Sequence, residues 1–198
     1  MRRLVVSIHS TANDIVTGSP SGDETELSWA GPGIEESLDS FHRSLAAVDT
    51  ILLGRGTYED LVRKWPAVTP APGIPELVLT IAEMVNTIPK IVVSRTPLEG
   101  LHWGPFDRPR QLTGADVVDQ LKALKERDGG TIITFGSPQL VRSLVNAHLV
   151  DEFRLLIHPV LVHEGHHLFD NLEGRTELSL LDLEAFPSGA ILVTYEVS

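Results

Sequence analysis

The sequence predicts an α/β fold: a mostly parallel sheet flanked by helices, closing with an antiparallel C-terminal hairpin. Two observations carry this. Strand-like apolar runs alternate with helical patterns from Leu4 to Ala147, the signature of βαβ units. After Val150 the pattern turns to strands alone, and Pro187-Ser188-Gly189 supplies the turn of a final hairpin. A third observation concerns function. Three of the strands end in residues suited to an anion: Gly54-Arg55-Gly56-Thr57, Ser94-Arg95-Thr96 and Gly136-Ser137-Pro138.

Leu4-Val5-Val6-Ser7-Ile8 reads as the opening strand, a continuous apolar run rich in β-branched residues. Residues 17–33 hold six glycines and prolines and predict a long loop around Trp29. Ile34, Leu38, Phe41, Leu45 and Val48 recur at helical spacing and predict a helix over 34–48, with Glu35 and Glu36 suited to its first turn. Strand 50–53 and helix 56–65 follow, the latter stopping before Pro66. The proline-rich stretch 66–75 is a surface loop. A helix over 75–87 leads to strand 90–94, and then to an irregular stretch containing Trp103, Pro105 and Pro109.

Val117, Val118, Leu121 and Leu124 mark one face of a helix over 114–127, which Gly129-Gly130 terminates. Strand 131–135 and helix 138–147 complete the alternation. Strands over 150–162, 176–185 and 189–197 close the chain. No internal repeat or linker divides it, so residues 1–198 read as a single domain.

The chain has 198 residues and a formal net charge of −11, with 42% hydrophobic residues. An acidic surface repels a phosphate backbone, so nucleic acid is not an expected partner. No cysteine is present, which excludes a disulfide framework, a thiolate zinc site and a cysteine nucleophile. Leu4 to Ile8 is too short for a secretory or membrane-spanning segment. The expected location is the cytoplasm, with no membrane partner.

Each strand end has a structural reading beside the functional one. Gly54-Arg55-Gly56 is a partial dinucleotide fingerprint with Glu59 at the third glycine position, and it follows the second strand of the alternation rather than the first. A Rossmann dehydrogenase is therefore a weaker reading, and Gly54 equally suits a tight turn. Gly136-Ser137-Pro138 combines a turn glycine, an N-cap serine and a proline at the first helical position. Those residues serve capping or a ligand. Ser94-Arg95-Thr96 offers a hydroxyl and a guanidinium to a 2′-phosphate, or simply a surface arginine. The shared placement at carboxyl ends of parallel strands favours a ligand, because such ends line one crevice.

His163-Glu164-Gly165-His166-His167 matches the H-E-x-x-H pattern of zinc peptidases in letters only. That motif works on a helix. Here it follows a strand interrupted by Pro159 and carries a central glycine, so no metal site is assigned. No Gly-x-Ser-x-Gly elbow is present either.

Taken in order, Ile51–Glu59, Lys90–Thr96, Leu149–Leu155, Pro159-Val160-Leu161 and Glu164-Gly165 with Leu168-Phe169 resemble the dihydrofolate-reductase-like superfamily, in the branch of the C-terminal reductase domain of bacterial riboflavin biosynthesis. The resemblance spans nearly the whole chain. It implies a dihydrofolate-reductase-like fold with an eight-stranded sheet. It implies NADPH as hydride donor and a pterin-like or aminouracil-like heterocycle as small-molecule acceptor, as in 5-amino-6-(5-phosphoribosylamino)uracil reduction. It is also compatible with a homodimer.

Carried over by position, Gly54, Arg55 and Thr57 would line the cofactor phosphates, Ser94 and Arg95 would hold the 2′-phosphate, and Gly136 and Ser137 would approach the pyrophosphate or nicotinamide. This chain departs from the pattern in places. Asn13 stands where an aspartate is expected and Asp14 where a glycine is; Ser137 and His163 also replace glycines. Asn13 can hydrogen-bond but cannot act as a base. Asn13 and Trp29 are the substrate-side candidates, Trp29 as a cover or as a loop plug. If a side chain assists proton transfer, Asp14 and Asp39 are the candidates; each also reads as a solvated acid. The alternative to a reductase is a non-catalytic nucleotide- or metabolite-binding relative.

Overall fold

The structure, a computed structural model, describes residues 1–17 and 27–198. Its strands are β1 (Leu4–Thr11), β2 (Ile15–Thr17), β3 (Val48–Gly54), β4 (Lys90–Val93), β5 (Arg110–Leu112), β6 (Thr131–Phe135), β7 (Glu152–His158), β8 (His166–His167), β9 (Leu178–Ala185) and β10 (Ile191–Val197). Eight of them form one sheet in the order β5-β4-β3-β6-β1-β7-β10-β9, and a small second sheet pairs β2 with β8. The pairings from β5 through to β7 are all parallel. β10 runs antiparallel to both β7 and β9. The predicted fold class therefore holds, including the closing hairpin.

Helices α1 (Gly31–Glu36), α2 (Leu38–Leu45), α3 (Arg55–Lys64), α4 (Glu76–Thr87), α5 (Val117–Glu126) and α6 (Pro138–Asn146) complete the layers. The central strands read as unbroken apolar runs because both sheet faces are covered. On one face Leu4, Val6, Ile8, Leu52 and Ile132 pack with Leu121, Leu140, Val141 and Leu144 of α5 and α6. On the other, Val5, Ile51, Leu53 and Ile133 pack with Leu45, Tyr58, Ile81, Val85 and Trp103. The Trp103 indole donates to Asn86 Oδ1 at 2.8 Å and lies beneath the Lys90 ammonium. Burial lowers the Lys90 pKa to about 8, with nearby Asp107 opposing the shift.

Several expectations need correction. The single helix expected over 34–48 is two, broken at Ser37, whose hydroxyl donates back to Ile34 O at 3.1 Å. The long loop expected over 17–33 becomes helical from Ser28 onward, in a 3₁₀ turn and α1; its residues 18–26 lie outside the described residues. The strand expected over 150–162 is shorter, 152–158, because Pro159 cannot donate to a ladder. β5 and the β2–β8 pair were not expected. Each has three residues or fewer, too few to show a period.

The topology excludes the Rossmann reading. The glycine turn after β3 follows the second parallel strand, and β1 sits between β6 and β7 rather than opening a glycine-rich dinucleotide turn.

Candidate functional site

From β3 the chain adds strands outward through β4 to β5, then crosses back to lay β6 on the opposite side of β3. A reversal of this kind opens a crevice at the carboxyl ends of the strands. β4, β3 and β6 are consecutive neighbours, so the three singled-out strand ends meet there. A cleft of about 1040 Å³ occupies the place. Gly54, Arg55, Thr57, Ser94, Arg95, Gly136 and Ser137 all line it.

Two helix N-termini open onto this half of the cleft. α3 begins at Arg55 directly after Gly54, and its first backbone N–H groups have no intrahelical acceptor. α6 begins at Pro138, which lacks an N–H, so Gln139 and Leu140 carry its free donors. Both helix dipoles place partial positive charge at the cleft. The guanidinium groups differ in freedom. Arg55 is paired within α3 to Glu59 at 2.7 Å. Arg95 is exposed, and among the described residues it meets only Gln139 Oε1 at 3.5 Å.

The hydroxyls are more committed than their residue types suggest. Ser94 Oγ donates to Thr96 O at 2.6 Å and accepts from Gln111 Nε2 at 2.8 Å. Ser137 stands at the N-cap of α6, yet its hydroxyl does not cap that helix. It accepts from the Gly54 N–H at 2.9 Å and donates to Thr57 Oγ1 at 2.8 Å. Ser137 thereby ties the β6–α6 turn to the β3–α3 turn. Gly136 and Ser137 have φ values of +52° and +57°, so the turn uses two left-handed residues in succession. A side chain at Gly136 would press on Thr57 Oγ1 at 3.3 Å.

The other half of the cleft is an apolar slot between α2 and the sheet. Leu38, Phe41, Phe135, Leu156 and Leu192 line it together with Ser7, His9, Ser40 and Arg154. Phe41 meets Phe135 edge to face with ring centroids 5.4 Å apart. Arg154 is held by Glu152, Nε to Oε1 at 2.5 Å. His9 Nδ1 lies 3.1 Å from Nε2 of buried His158, and the two rings stack. Burial, and secondarily repulsion from His158, lowers the His9 pKa to about 4, and burial also lowers that of His158. Both imidazoles are therefore neutral near pH 7, and one donates to the other.

None of the proton-transfer or substrate-side candidates lines the cleft. Asn13 pins the turn after β1: its Nδ2 donates to Val162 O at 2.8 Å, and its Oδ1 accepts from Thr11 Oγ1 and Val162 N. Asp14 has φ +66° and sits 3.8 Å from His167 Nδ1. Burial raises its pKa against hydrogen bonds from Phe169 and Leu168 N–H. Asp39 is exposed on α2. Trp29 packs edge-on against His158 behind the slot, and its indole N–H is buried without a partner.

The residues that do face the slot went unmarked in the sequence. For His9 the available signal was alternation along β1, which puts Val5, Ser7 and His9 on one face. The H-E-x-x-H letters fall across a loop and a two-residue strand, not a helix. No cluster of three metal-ligating residues exists among the described residues.

Residues 14–192 match the RibD C-terminal domain. The chain belongs to that family. It is 28% identical over 194 residues to the uncharacterized protein YyaP of Bacillus subtilis (strain 168), covering 98% of this chain and 94% of YyaP. A putative riboflavin biosynthesis protein of Shewanella sp. PV-4 superposes with a TM-score of 0.69 at 18% identity, over 99% of both chains.

The diaminohydroxyphosphoribosylaminopyrimidine deaminase/5-amino-6-(5-phosphoribosylamino)uracil reductase of Thermotoga maritima gives 0.67 at 14% identity, over all of this chain and 57% of that one. Dihydrofolate reductase from Enterococcus faecalis, complexed with NADP(H), gives 0.56 at 15% identity over 99% of this RibD-family chain and 96% of its own. The fold is thus dihydrofolate-reductase-like. Among the described residues no helix is long and apolar enough to cross a membrane.

Proposed function

We propose that this RibD-family protein is an NADPH-dependent reductase that transfers a hydride to a small nitrogen heterocycle of pterin-like or aminouracil-like shape. One observation supports the reading: a single cleft joins a half onto which two helix N-termini open to an apolar half. The first has two helix N-termini and Arg95, which forms no ion pair among the described residues. The second is walled by Phe41, Phe135, Leu156 and Leu192. A dinucleotide needs the former for its phosphates, and a planar ring needs the latter.

The residues fit the group. Backbone N–H groups of Arg55, Gly56 and Thr57 would hold phosphate oxygens, with Gln139 and Leu140 facing them from α6. The Gly54 N–H and the Ser94 hydroxyl are already bonded, so Arg95 and exposed Thr96 would take the 2′-phosphate. Bound there, NADPH supplies the hydride. The protein's part is to align the two rings and exclude water between them. His9, at the slot wall, is placed to orient a polar edge of the acceptor.

A second reading has an observation behind it: neither Asp14 nor Asp39 reaches the cleft. A relative that binds nucleotide without turnover needs no proton donor. Calorimetric titration with NADPH and NADH, followed by NADPH oxidation against pterin and aminouracil acceptors, separates the two. Binding with oxidation supports the reductase, and binding without oxidation the non-catalytic relative. Absence of binding by either nucleotide defeats both. Arg95→Ala is expected to weaken NADPH by about 10- to 100-fold, the worth of one charge-assisted phosphate contact, and to leave NADH unchanged. Equal losses would remove the 2′-phosphate assignment.

A further inference from the structure

Register across the sheet puts a short polar strip on the floor of the apolar half. Ser7 pairs with Phe135 of β6 on one side and with Arg154 of β7 on the other. Partners in register share a face, so the three stand in a row in the slot, about 4.8 Å from strand to strand. His9, two residues further along β1, lies on the same face beside its own partner Leu156. A serine thus sits between a phenyl wall and a guanidinium.

Other hydroxyls around the slot already donate elsewhere. Ser37 donates to Ile34 O, Ser40 to Glu184 and Ser44 to Phe41 O. Arg154 differs. Its Nε donates to Glu152 Oε1 at 2.5 Å, and among the described residues neither terminal nitrogen has a partner. Glu152 is buried and held in turn, its second oxygen accepting from Arg3 at 3.0 Å. The guanidinium is therefore clamped at one edge and open at another. A planar fork fixed in this way loses little freedom on taking a further partner.

We propose that Arg154 selects the acceptor, its two terminal nitrogens donating in parallel to a carbonyl oxygen and a neighbouring unprotonated ring nitrogen. The assignment rests on reading the apolar half as the acceptor slot. Paired arginine donors match such an edge in guanine, O6 with N7. Of the two acceptor classes, only the fused ring has one: in a pterin, O4 and N5 lie side by side. The carbonyls of an aminouracil are flanked by ring N–H groups and by the 5-amino group, which is a poor acceptor. That edge would turn donors toward donors. The slot therefore favours a pteridin-4-one. With O4 and N5 on Arg154, the ring lies over Ser7, whose hydroxyl has no partner among the described residues, and against Phe135.

Glu152 is the positioning residue. It lies outside the cleft lining, and its Oε1 fixes which edge of the guanidinium faces the slot. Its register agrees, since it pairs with Val5, two residues before Ser7 on the same face. Arg3, Arg154, Glu152 and Glu196 form one ion-pair chain that balances in formal charge. The slot thus offers directed donors rather than an unmatched cation, which suits a neutral ring edge.

Calorimetric titration of the intact protein with pterin, 5-deazapterin and 8-deazapterin, with saturating NADP+ and without it, tests this. Replacing N5 by CH removes one acceptor and keeps the shape; the same change at position 8 alters the opposite edge. 5-Deazapterin is expected to bind about 10- to 100-fold more weakly than pterin, the worth of one bidentate arginine contact, and 8-deazapterin to bind like pterin. Arg154→Lys keeps the charge but not the paired donors, so it should bind pterin and 5-deazapterin alike. A purely structural arginine would lower stability and leave their ratio intact. Circular dichroism checks that the variant is folded, and the wild-type comparison of the three rings needs no variant. Equal binding of pterin and 5-deazapterin, an equal loss with 8-deazapterin, or a ratio that survives Arg154→Lys would each overturn the proposal. So would tighter binding of 5,6-diaminouracil than of pterin, or no binding of any ring. NADPH titration reads the reductase assignment separately. Ring discrimination without NADPH binding sustains the Arg154 site and removes the reductase; NADPH binding without ring discrimination removes the Arg154 site and leaves the reductase standing.

Discussion

His9 shows what a single residue contributes once its neighbours are known. Its ring, stacked on His158, titrates near 4, while in the unfolded chain it titrates near 6.5. Between those values the unfolded state binds more protons than the native state, so native stability falls as pH drops through that window. Below about 4 both states are protonated and no further loss accrues from this group. The expected contribution is on the order of 3 kcal/mol between pH 7 and pH 4. His9→Gln keeps a polar side chain and removes the titration. Urea unfolding at several pH values should therefore show a shallower acid slope in the variant. Parallel slopes would mean that the pair is not buried as described. Substitution at Gly33 would disturb the same pair, because a Cβ there meets the His158 ring at 2.7 Å.

At the scale of elements, the half of the cleft bounded by the N-termini of α3 and α6 depends on a joint between two turns. Ser137 is left-handed and holds both the Gly54 N–H and Thr57 Oγ1. Ser137→Ala keeps the backbone strain and orphans the Gly54 N–H, an expected loss of about 1–3 kcal/mol. Ser137→Gly loses the same bonds but relieves the left-handed conformation, which offsets about 1 kcal/mol. Denaturant titration should thus rank alanine as more damaging than glycine. The reverse order would show that the hydroxyl contributes little. The residue type at 137 read from sequence as a helix cap, and the turn's sequence is compatible with one. Only the approach of β3 to β6 reveals that the hydroxyl spans two turns. Ser94 follows the same logic, since its hydroxyl is claimed by Gln111 on β5, a strand too short to leave a pattern.

Across the whole molecule, the end of the sheet opposite the cleft is fastened by two buried cations paired with half-buried carboxylates. Lys125 Nζ meets Asp151 Oδ2 at 2.6 Å and donates to Leu149 O, and the same carboxylate accepts from Leu4 N at 2.7 Å. Arg2 pairs with Asp49 and donates to Gly130 O. These contacts join β1, α5 and the entries to β3, β6 and β7. Lys125→Met leaves the half-buried Asp151 without its ammonium and should cost about 1–3 kcal/mol in chemical denaturation, between the ranges for surface and buried pairs. A loss below about 0.5 kcal/mol, typical of a surface pair, would contradict the fastening role.

Sequence by itself determined the α/β class, the succession of strands and helices along the chain, and the placement of three ligand-suited turns at strand ends. These depend on local signals: apolar runs, helical spacing, and glycine or proline at turns. Tertiary structure decided which strands are neighbours, and therefore that the three turns share one cleft. It also decided which polar groups remain free, leaving Arg95 open while Ser94, Ser137 and Asn13 are spent on their neighbours. Asp14 and Asp39 fell away from the cleft, and His9 and Arg154 entered it, for the same reason. Side-chain type is written locally, but the direction a side chain faces and the partner it finds are set by contacts distant in sequence.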